Sequence, residues 1–439
     1  MASTQNEKSD FRYNTGAAKV PWDAVAVKPD ADLVKAVVRF LVQEGSDAPA
    51  YAAALRKVEK AVGELFKVGR PASKLSLGQN VAAVEDLAKT MLGVRYASFL
   101  VNWTAGYDIA LDMAGVKPGD EVIIPAITFI ATAAPVLRKG AGVVFADVDR
   151  QTVNMDPADV ARKITPRTRA IVPVHIGGYP VDMDPIMELA RSRGIAVIED
   201  AAHGFGGTYK GRKLGTIGDF GAYSFHEVKN ITALGEGGIL VTNDALGAQF
   251  PMARFCGFDL ATPPPPTWLY NVSPVQARHG TFVAGNYSTT EIQAVALLQQ
   301  MQRNDEILAA RRRVARYLYE KLIRVRGLIP GPIDSADYGG TCHLFLLRVD
   351  PGVIRGGIQA LKAKLAERGV TQIAHFCPLY HYRLFEELGY NRRALQQSCP
   401  MAEQVFFEEY THLPLYDLPA ESIDYMADSV TAAAQELAQ

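Results

Sequence analysis

Apolar residues along this chain follow two rhythms, short unbroken runs and stretches with a three-to-four residue repeat, and the two alternate from about residue 97 to 244. The runs at 121–124, 142–145, 170–174, 196–199, 220–224 and 238–242 are rich in Val, Ile and Ala. Continuous apolar runs of that length predict strands buried on both faces. Between them, 105–114, 157–163 and 183–192 carry the helical repeat, and Gly115 and Gly194 stand where helices stop. Strands alternating with helices predict an α/β class built on a mostly parallel sheet covered by helices.

The rhythm changes near Gln249. Four consecutive prolines, Pro263 to Pro266, exclude a helix or a central strand there, and 257–284 reads as an extended surface excursion. One long helix is predicted from 290 to about 324, leading into a mixed region with strands at 342–349 and 372–375 and helices at 357–367 and 422–436. Before the sheet region, 32–44 and 51–66 read as amphipathic helices. Residues 1–30 read as a partly disordered arm or one that wraps a neighbouring subunit. The chain thus divides into an N-terminal extension (1–70), a large domain (71–310) and a smaller α+β domain (311–439).

A length of 439 residues exceeds what one hydrophobic core fills, which agrees with two main domains. Basic and acidic residues number 46 and 47, a balance that leaves no electrostatic footprint for nucleic acid or an anionic membrane. The N-terminus lacks the apolar core of a signal peptide, no run is long enough to span a bilayer, and a cytoplasmic protein is expected. Cys256, Cys342, Cys377 and Cys399 are too scattered for a disulfide framework and show no metal-ligand spacing, so reduced, mostly buried thiols are expected.

Candidate chemistry lies at the ends of the predicted strands. Asp200 closes the run Ile195-Ala196-Val197-Ile198-Glu199, the place where open α/β sheets bind ligands. Taken alone it reads equally as a carboxylate capping a turn. Lys229 follows one strand later, flanked by Ser224 and by Gly235, Gly237 and Gly238, which permit close backbone approach to a ligand. An aspartate that keeps a pyridine nitrogen protonated and a lysine that bonds to an aldehyde are the two side chains pyridoxal 5'-phosphate needs most. His203 is placed to hydrogen-bond that cofactor's phenolic oxygen or stack on its ring, against the alternative of a core histidine. Phe129, after the strand at 121–124, is read as a ring-stacking residue or a core residue. In Asn102-Trp103-Thr104-Ala105 the backbone amides and the Thr104 hydroxyl open a predicted helix, a natural phosphate site that is compatible with simple capping.

Together these residues resemble the DegT/DnrJ/EryC1/StrS family of sugar aminotransferases. The resemblance runs from about residue 78 to 418. It includes Pro118-Gly119-Asp120-Glu121-Val122-Ile123-Ile124-Pro125, Phe145-Ala146-Asp147-Val148-Asp149, Pro173-Val174-His175, Glu199-Asp200-Ala201-Ala202-His203 and Ser224-Phe225-His226 with Lys229-Asn230. It continues in Gly285-Asn286-Tyr287, His375-Phe376-Cys377-Pro378 and Leu413-Pro414-Leu415-Tyr416. It implies the fold type I architecture of pyridoxal phosphate enzymes, a large domain with a mostly parallel seven-stranded sheet plus a smaller α+β C-terminal domain. It further implies a homodimer with shared active sites, in which Lys229 bonds to the cofactor, Asp200 holds the ring nitrogen, Phe129 stacks, Thr104 and Ser224 bind the phosphate, and Asn286 reaches the phosphate of the other subunit. His343, His375, Phe376 and Tyr380 fall where the family lines its sugar pocket. The implied reaction moves an amino group from glutamate or glutamine to a nucleotide-linked keto-sugar, with a cyclitol ketone or other secondary-metabolite carbonyl as the alternative acceptor and a non-catalytic pyridoxal phosphate-binding regulator as a more distant alternative function. Three departures stand out: Trp103 replaces a glycine in the phosphate loop, Ser288 replaces an arginine after Asn286-Tyr287, and the N-terminal extension and the proline-rich excursion around Pro263 are longer than the family's.

Overall fold

A computed structural model describes residues 25, 27–259, 271–372, 376–415 and 418–439. Its centre is a seven-stranded sheet made of β1 (Tyr96–Leu100), β2 (Glu121–Pro125), β3 (Gly142–Ala146), β4 (Thr168–Ile171), β5 (Ala196–Asp200), β6 (Phe220–Ser224) and β7 (Gly238–Thr242), in the order β1-β7-β6-β5-β4-β2-β3. Only β7 runs against the others, pairing antiparallel with both β1 and β6. Strands β2, β5, β6 and β7 are buried at every position, which is why they appear as unbroken apolar runs. Strand β1 had no counterpart among the six predicted strands; it lies at the sheet edge and begins with two half-buried residues, Tyr96 and Ala97. β4 is shorter than predicted, ending at Ile171, although Val174 still bridges to Asp200.

Helices cover both faces. Among them Trp103–Met113, Pro157–Lys163 and Met183–Arg193 occupy the predicted stretches, and Gly194 closes the last with φ 65°. A helix at Gln79–Leu92 starts without a side-chain cap of its own. Instead the Glu291 carboxylate accepts from the amides of Gly78, Asn80 and Val81, an anion placed where a helix N-terminus favours one. The single helix predicted over 290–324 is two, Glu291–Met301 and Asn304–Leu322. Arg303 (φ −102°, ψ 7°) leaves helical geometry between them, with neither Pro nor Gly to announce it. Acidic Asp305 and Glu306 then start the second helix favourably.

A second hydrophobic cluster gathers the helices Asn304–Leu322, Gly357–Glu367 and Ala420–Leu437 around a three-stranded antiparallel sheet of Leu328–Pro330, Phe345–Val349 and Tyr410–Leu413. The strand predicted over 342–349 starts at Phe345, and of the one predicted over 372–375, Gln372 is not in a strand while the rest lies outside the described residues. Phe145 on β3 binds the two halves: Tyr380, Phe385 and Tyr390 surround it edge-on at centroid distances of 5.5, 5.1 and 6.2 Å. Each such pair contributes about 0.5–1.5 kcal/mol beyond its buried area. The described parts of the excursion after Cys256 form two short hairpins, Phe258–Asp259 with Asn271–Val272 and Val275–Ala277 with Gly280–Phe282; the proline run lies outside the described residues. None of the four cysteines is paired, and only Cys399 is buried, the other three being half-exposed rather than mostly buried as expected.

Candidate active site

The C-terminal ends of the sheet strands open onto a cavity of about 520 Å³. β1 delivers Asn102, Trp103 and Thr104; β2 delivers Thr128, Phe129 and Thr132; β5 delivers Asp200, Ala202 and His203; β6 ends in Ser224 and continues to His226 and Lys229. His343, Leu344, Phe376, His412, Pro414 and Leu415 close it from the C-terminal half. Ligands of open α/β sheets bind at this edge because the strand ends and following helix N-termini converge there.

Asp200 is buried, yet among the described residues its carboxylate receives only two hydrogen bonds, from the Ala202 amide to Oδ1 (3.1 Å) and the Thr132 hydroxyl to Oδ2 (3.0 Å). With its proton committed to Asp200, Thr132 accepts in turn from Thr128, 2.9 Å away. Burial pushes the Asp200 carboxyl up to about 6, against the pull of those two bonds and of the Lys229 ammonium. The same burial lowers the Lys229 amine to about 8, with the Asp200 carboxylate opposing. A lysine shifted this way holds a useful fraction of free, nucleophilic amine near neutral pH.

Behind Asp200 lies a pair the sequence did not single out as a site. His175 accepts the Val181 amide on Nδ1 (3.1 Å), so its proton sits on Nε2 and is donated to Glu199 Oε2 (3.0 Å). Glu199 also accepts from the amides of Gly215, Ile217 and Gly218 at 2.8, 2.5 and 2.6 Å, pinning the loop that enters β6. His175 appeared in the Pro173-Val174-His175 motif, and only its burial against Glu199 gives it a function.

The phosphate-site candidates converge as predicted in part. Asn102 caps the helix Trp103–Met113 by accepting from the Ala105 amide (3.0 Å), so that amide is occupied and the first-turn amides of Trp103 and Thr104 remain without intrahelical partners. Ser224 and Gly238 face each other across β6 and β7. A Cβ on Gly238 would sit 2.3–2.5 Å from the Asn102 carbonyl and the Trp103 nitrogen, so only glycine lets β7 approach this helix start. Trp103 does not block the loop, because its indole is buried, stacks on Tyr107 at 4.8 Å and donates to the Ala222 carbonyl at 3.0 Å.

Phe129 is 57% exposed on the cavity wall, 5.8 Å from the Phe376 ring, and is therefore not a core residue. His203 and His343 face each other there, ring centroids 4.2 Å apart. Asn286 is exposed and does not line the cavity; its Oδ1 accepts from the Ser288 amide. Tyr380 also does not line it: it is 1% exposed, donates to Glu403 at 2.7 Å and packs on Phe145, so it belongs to the core between the halves. His375 lies outside the described residues.

Compared with known proteins, residues 59–431 match the sequence model of the DegT/DnrJ/EryC1/StrS aminotransferase family. The chain belongs to that family. It is 37% identical to GDP-perosamine synthase of Caulobacter vibrioides over 74% of this chain and 83% of that protein. It is 34% identical to the spore coat polysaccharide biosynthesis protein SpsC of Bacillus subtilis over 82% and 90% of the two chains. The crystal structure of the aminotransferase TlmJ from Streptoalloteichus hindustanus superimposes with a TM-score of 0.72, covering 86% of this chain and 96% of TlmJ at 30% identity. Family membership makes the protein an aminotransferase-family enzyme and fits the cavity described above. Among the described residues no helix is long and apolar enough to cross a membrane.

Proposed function

We propose that this protein is a pyridoxal 5'-phosphate-dependent aminotransferase that moves an amino group from glutamate or glutamine to a nucleotide-linked keto-sugar in cytoplasmic amino-sugar biosynthesis. The observation that carries the reading is the pair Asp200 and Lys229 on one cavity wall, with the carboxyl pushed up to about 6 and the amine down to about 8. When bound, the cofactor supplies a ring that draws electrons from an amino acid's α-carbon. The residues fit it. A buried carboxylate suits a protonated ring nitrogen, exposed Phe129 suits a flat face, and Thr104, Ser224 and the open helix start suit a phosphate.

Lys229 would hold the cofactor, and its amine, lowered by burial, would be the base that takes the proton from the amino acid's α-carbon and gives it back. Asp200, held in place by Thr132 and the Ala202 amide, would keep the cofactor's ring nitrogen protonated. His203, whose ring lies 4.2 Å from that of His343, would meet the cofactor from the cavity wall. Asn286, exposed and not lining this chain's own cavity, would be the residue offered to the phosphate of a second copy in a homodimer. The relatives' names, one a GDP-sugar synthase and one a polysaccharide biosynthesis protein, support a sugar as acceptor.

The test is an absorbance spectrum of the protein loaded with pyridoxal phosphate, recorded before and after glutamate and then glutamine. Loss of the visible band of the lysine-bound cofactor with either donor is expected, followed by its return on adding a nucleotide-linked keto-sugar. A loaded protein that ignores both amino acids would remove the donor assignment. Return of the band with a cyclitol ketone and with no keto-sugar would replace the acceptor.

A further inference from the structure

Thr128 and Thr132 stand at the two ends of the short turn that follows β2. Phe129 caps a 3₁₀ turn over Ile130–Thr132, and the Thr132 amide donates to the Phe129 carbonyl at 3.0 Å. The turn holds Phe129 exposed on the cavity wall while both threonines are buried, each 1% exposed. The two hydroxyls are 2.9 Å apart, and Thr132 Oγ1 lies 3.0 Å from Asp200 Oδ2. Thr128 makes no hydrogen bond to Asp200 itself among the described residues, so its path to that carboxyl runs through Thr132.

The direction of this chain follows from its end. A carboxylate can only accept, and a hydroxyl has one hydrogen to give. When Asp200 is ionised, Thr132 gives its hydrogen to Oδ2, and the contact between the two threonines is closed by the hydrogen of Thr128. A donor that itself accepts a hydrogen bond in a dry setting is strengthened by it. The other groups around Asp200 are few. Burial works against its charge, while the Ala202 amide, the Lys229 amine and His175 work for it. Tyr107, fully buried, is kept neutral by its burial and by the Asp200 and Asp108 charges.

We infer that Thr132 is a positioning residue that holds Asp200 aligned and ionised, and that Thr128 acts on Asp200 through it, so that one turn both presents Phe129 to the cavity and secures the carboxylate. The link from that carboxylate to a ring nitrogen rests on the pyridoxal phosphate reading above, whereas the hydroxyl chain does not. Valine in either position keeps a similar shape and removes the hydroxyl; serine keeps the hydroxyl.

The deciding measurement is an infrared titration of the cofactor-free protein. The band of the protonated Asp200 carboxyl is identified by its loss in Asp200→Asn and followed against pH, with a wild-type midpoint expected at about 6. Thr132→Val should raise that midpoint by about one pH unit, the scale of one hydrogen bond to a charged group. Thr132→Ser should leave it in place. Thr128→Val should raise it by about 0.2 unit, the share by which a bonded donor strengthens its neighbour. In protein already carrying Thr132→Val it should add nothing, because the connection is gone. A midpoint unmoved by Thr132→Val, or a Thr128→Val effect of equal size with and without the Thr132 hydroxyl, would overturn the inference. With pyridoxal phosphate as the probe, Thr132→Val should weaken binding about tenfold and Thr132→Ser should not. A wild-type protein that does not take up pyridoxal phosphate counts against the cofactor reading, while the infrared midpoints still decide the hydroxyl chain.

Discussion

Glu199 and Asp200 are consecutive carboxylates at the end of β5, both buried, and the pleat sends them to opposite faces of the sheet. Glu199 meets four donors and serves as a fixed strut under the loop to β6. Asp200 meets two donors among the described residues and shares the cavity with Lys229, and burial pushes its carboxyl up to about 6. Side-chain type is nearly the same. What separates structure from chemistry is how many donors the fold brings to each oxygen, since a buried charge that is not fully satisfied is the one available to a ligand.

The contrast is broken or sharpened by substitutions on each side. On the cavity side, Lys229→Ala should lose at least about 10⁴-fold in the glutamate half-reaction followed by absorbance, since it removes both the covalent attachment and the base. Retained turnover would sink the assignment. Asp200→Ala breaks a buried charge pair, a loss of about 3–5 kcal/mol and so about 10²–10⁴ in kcat, measured with the protein still loaded with cofactor. Normal turnover would put the ring nitrogen elsewhere.

On the packed side, Glu199→Gln strands backbone donors and should lower stability in urea by about 2–4 kcal/mol, with kcat falling far less than for Asp200→Ala. Collapse of activity at unchanged stability would erase the distinction between the two faces.

A pH series on cofactor-free protein tests the charge itself. Folded Asp200 keeps its proton up to about 6, and the unfolded residue loses it near 3.8. The folded state therefore binds the extra proton between those values. Its stability contribution is complete below about 4 and lost as pH rises through 6, by about 2–3 kcal/mol. Asp200→Asn should flatten that decline in denaturation midpoints between pH 4 and 7. Lys229 has the opposite sign, because from about 8 to 10.5 the unfolded state binds more protons, and stability rises with pH in that window.

The smallest effect belongs to Trp103, which lines the cavity while its indole is tied to the Ala222 carbonyl. Trp103→Phe should cost about 1 kcal/mol of stability, seen as a lower denaturation midpoint, and leave cofactor affinity within a few-fold. Loss of the cofactor would show that the indole is itself part of the phosphate site.

Much of the fold could be read from the chain because its central strands are buried on both faces. The runs at 220–224 and 238–242 matched their strands end to end for that reason. Edge strand β1, with half-buried residues at its start, gave no such signal. The break at Arg303 was also silent, since no residue type marks it. In the site, Asp200, Lys229, Phe129 and His203 were found by their order after strands and His343 through the family resemblance, and the five share one cavity. Tyr380 was misplaced because an aromatic residue reads the same in a pocket and a core until Phe145 is seen against it. Thr132 gave no signal, since its place against Asp200 exists only in the fold.

The sequence by itself determined the alternation of strands and helices, the family, and which strand ends carry an aspartate and a lysine, because those follow from periodicity and from local order. The tertiary structure alone decided that Glu199 is saturated and Asp200 is not, that Trp103 turns into the core, and that Thr132 meets Asp200 from 68 residues away. Hydrogen-bond satisfaction and burial are properties of neighbours distant in sequence, and only the folded chain brings those neighbours together.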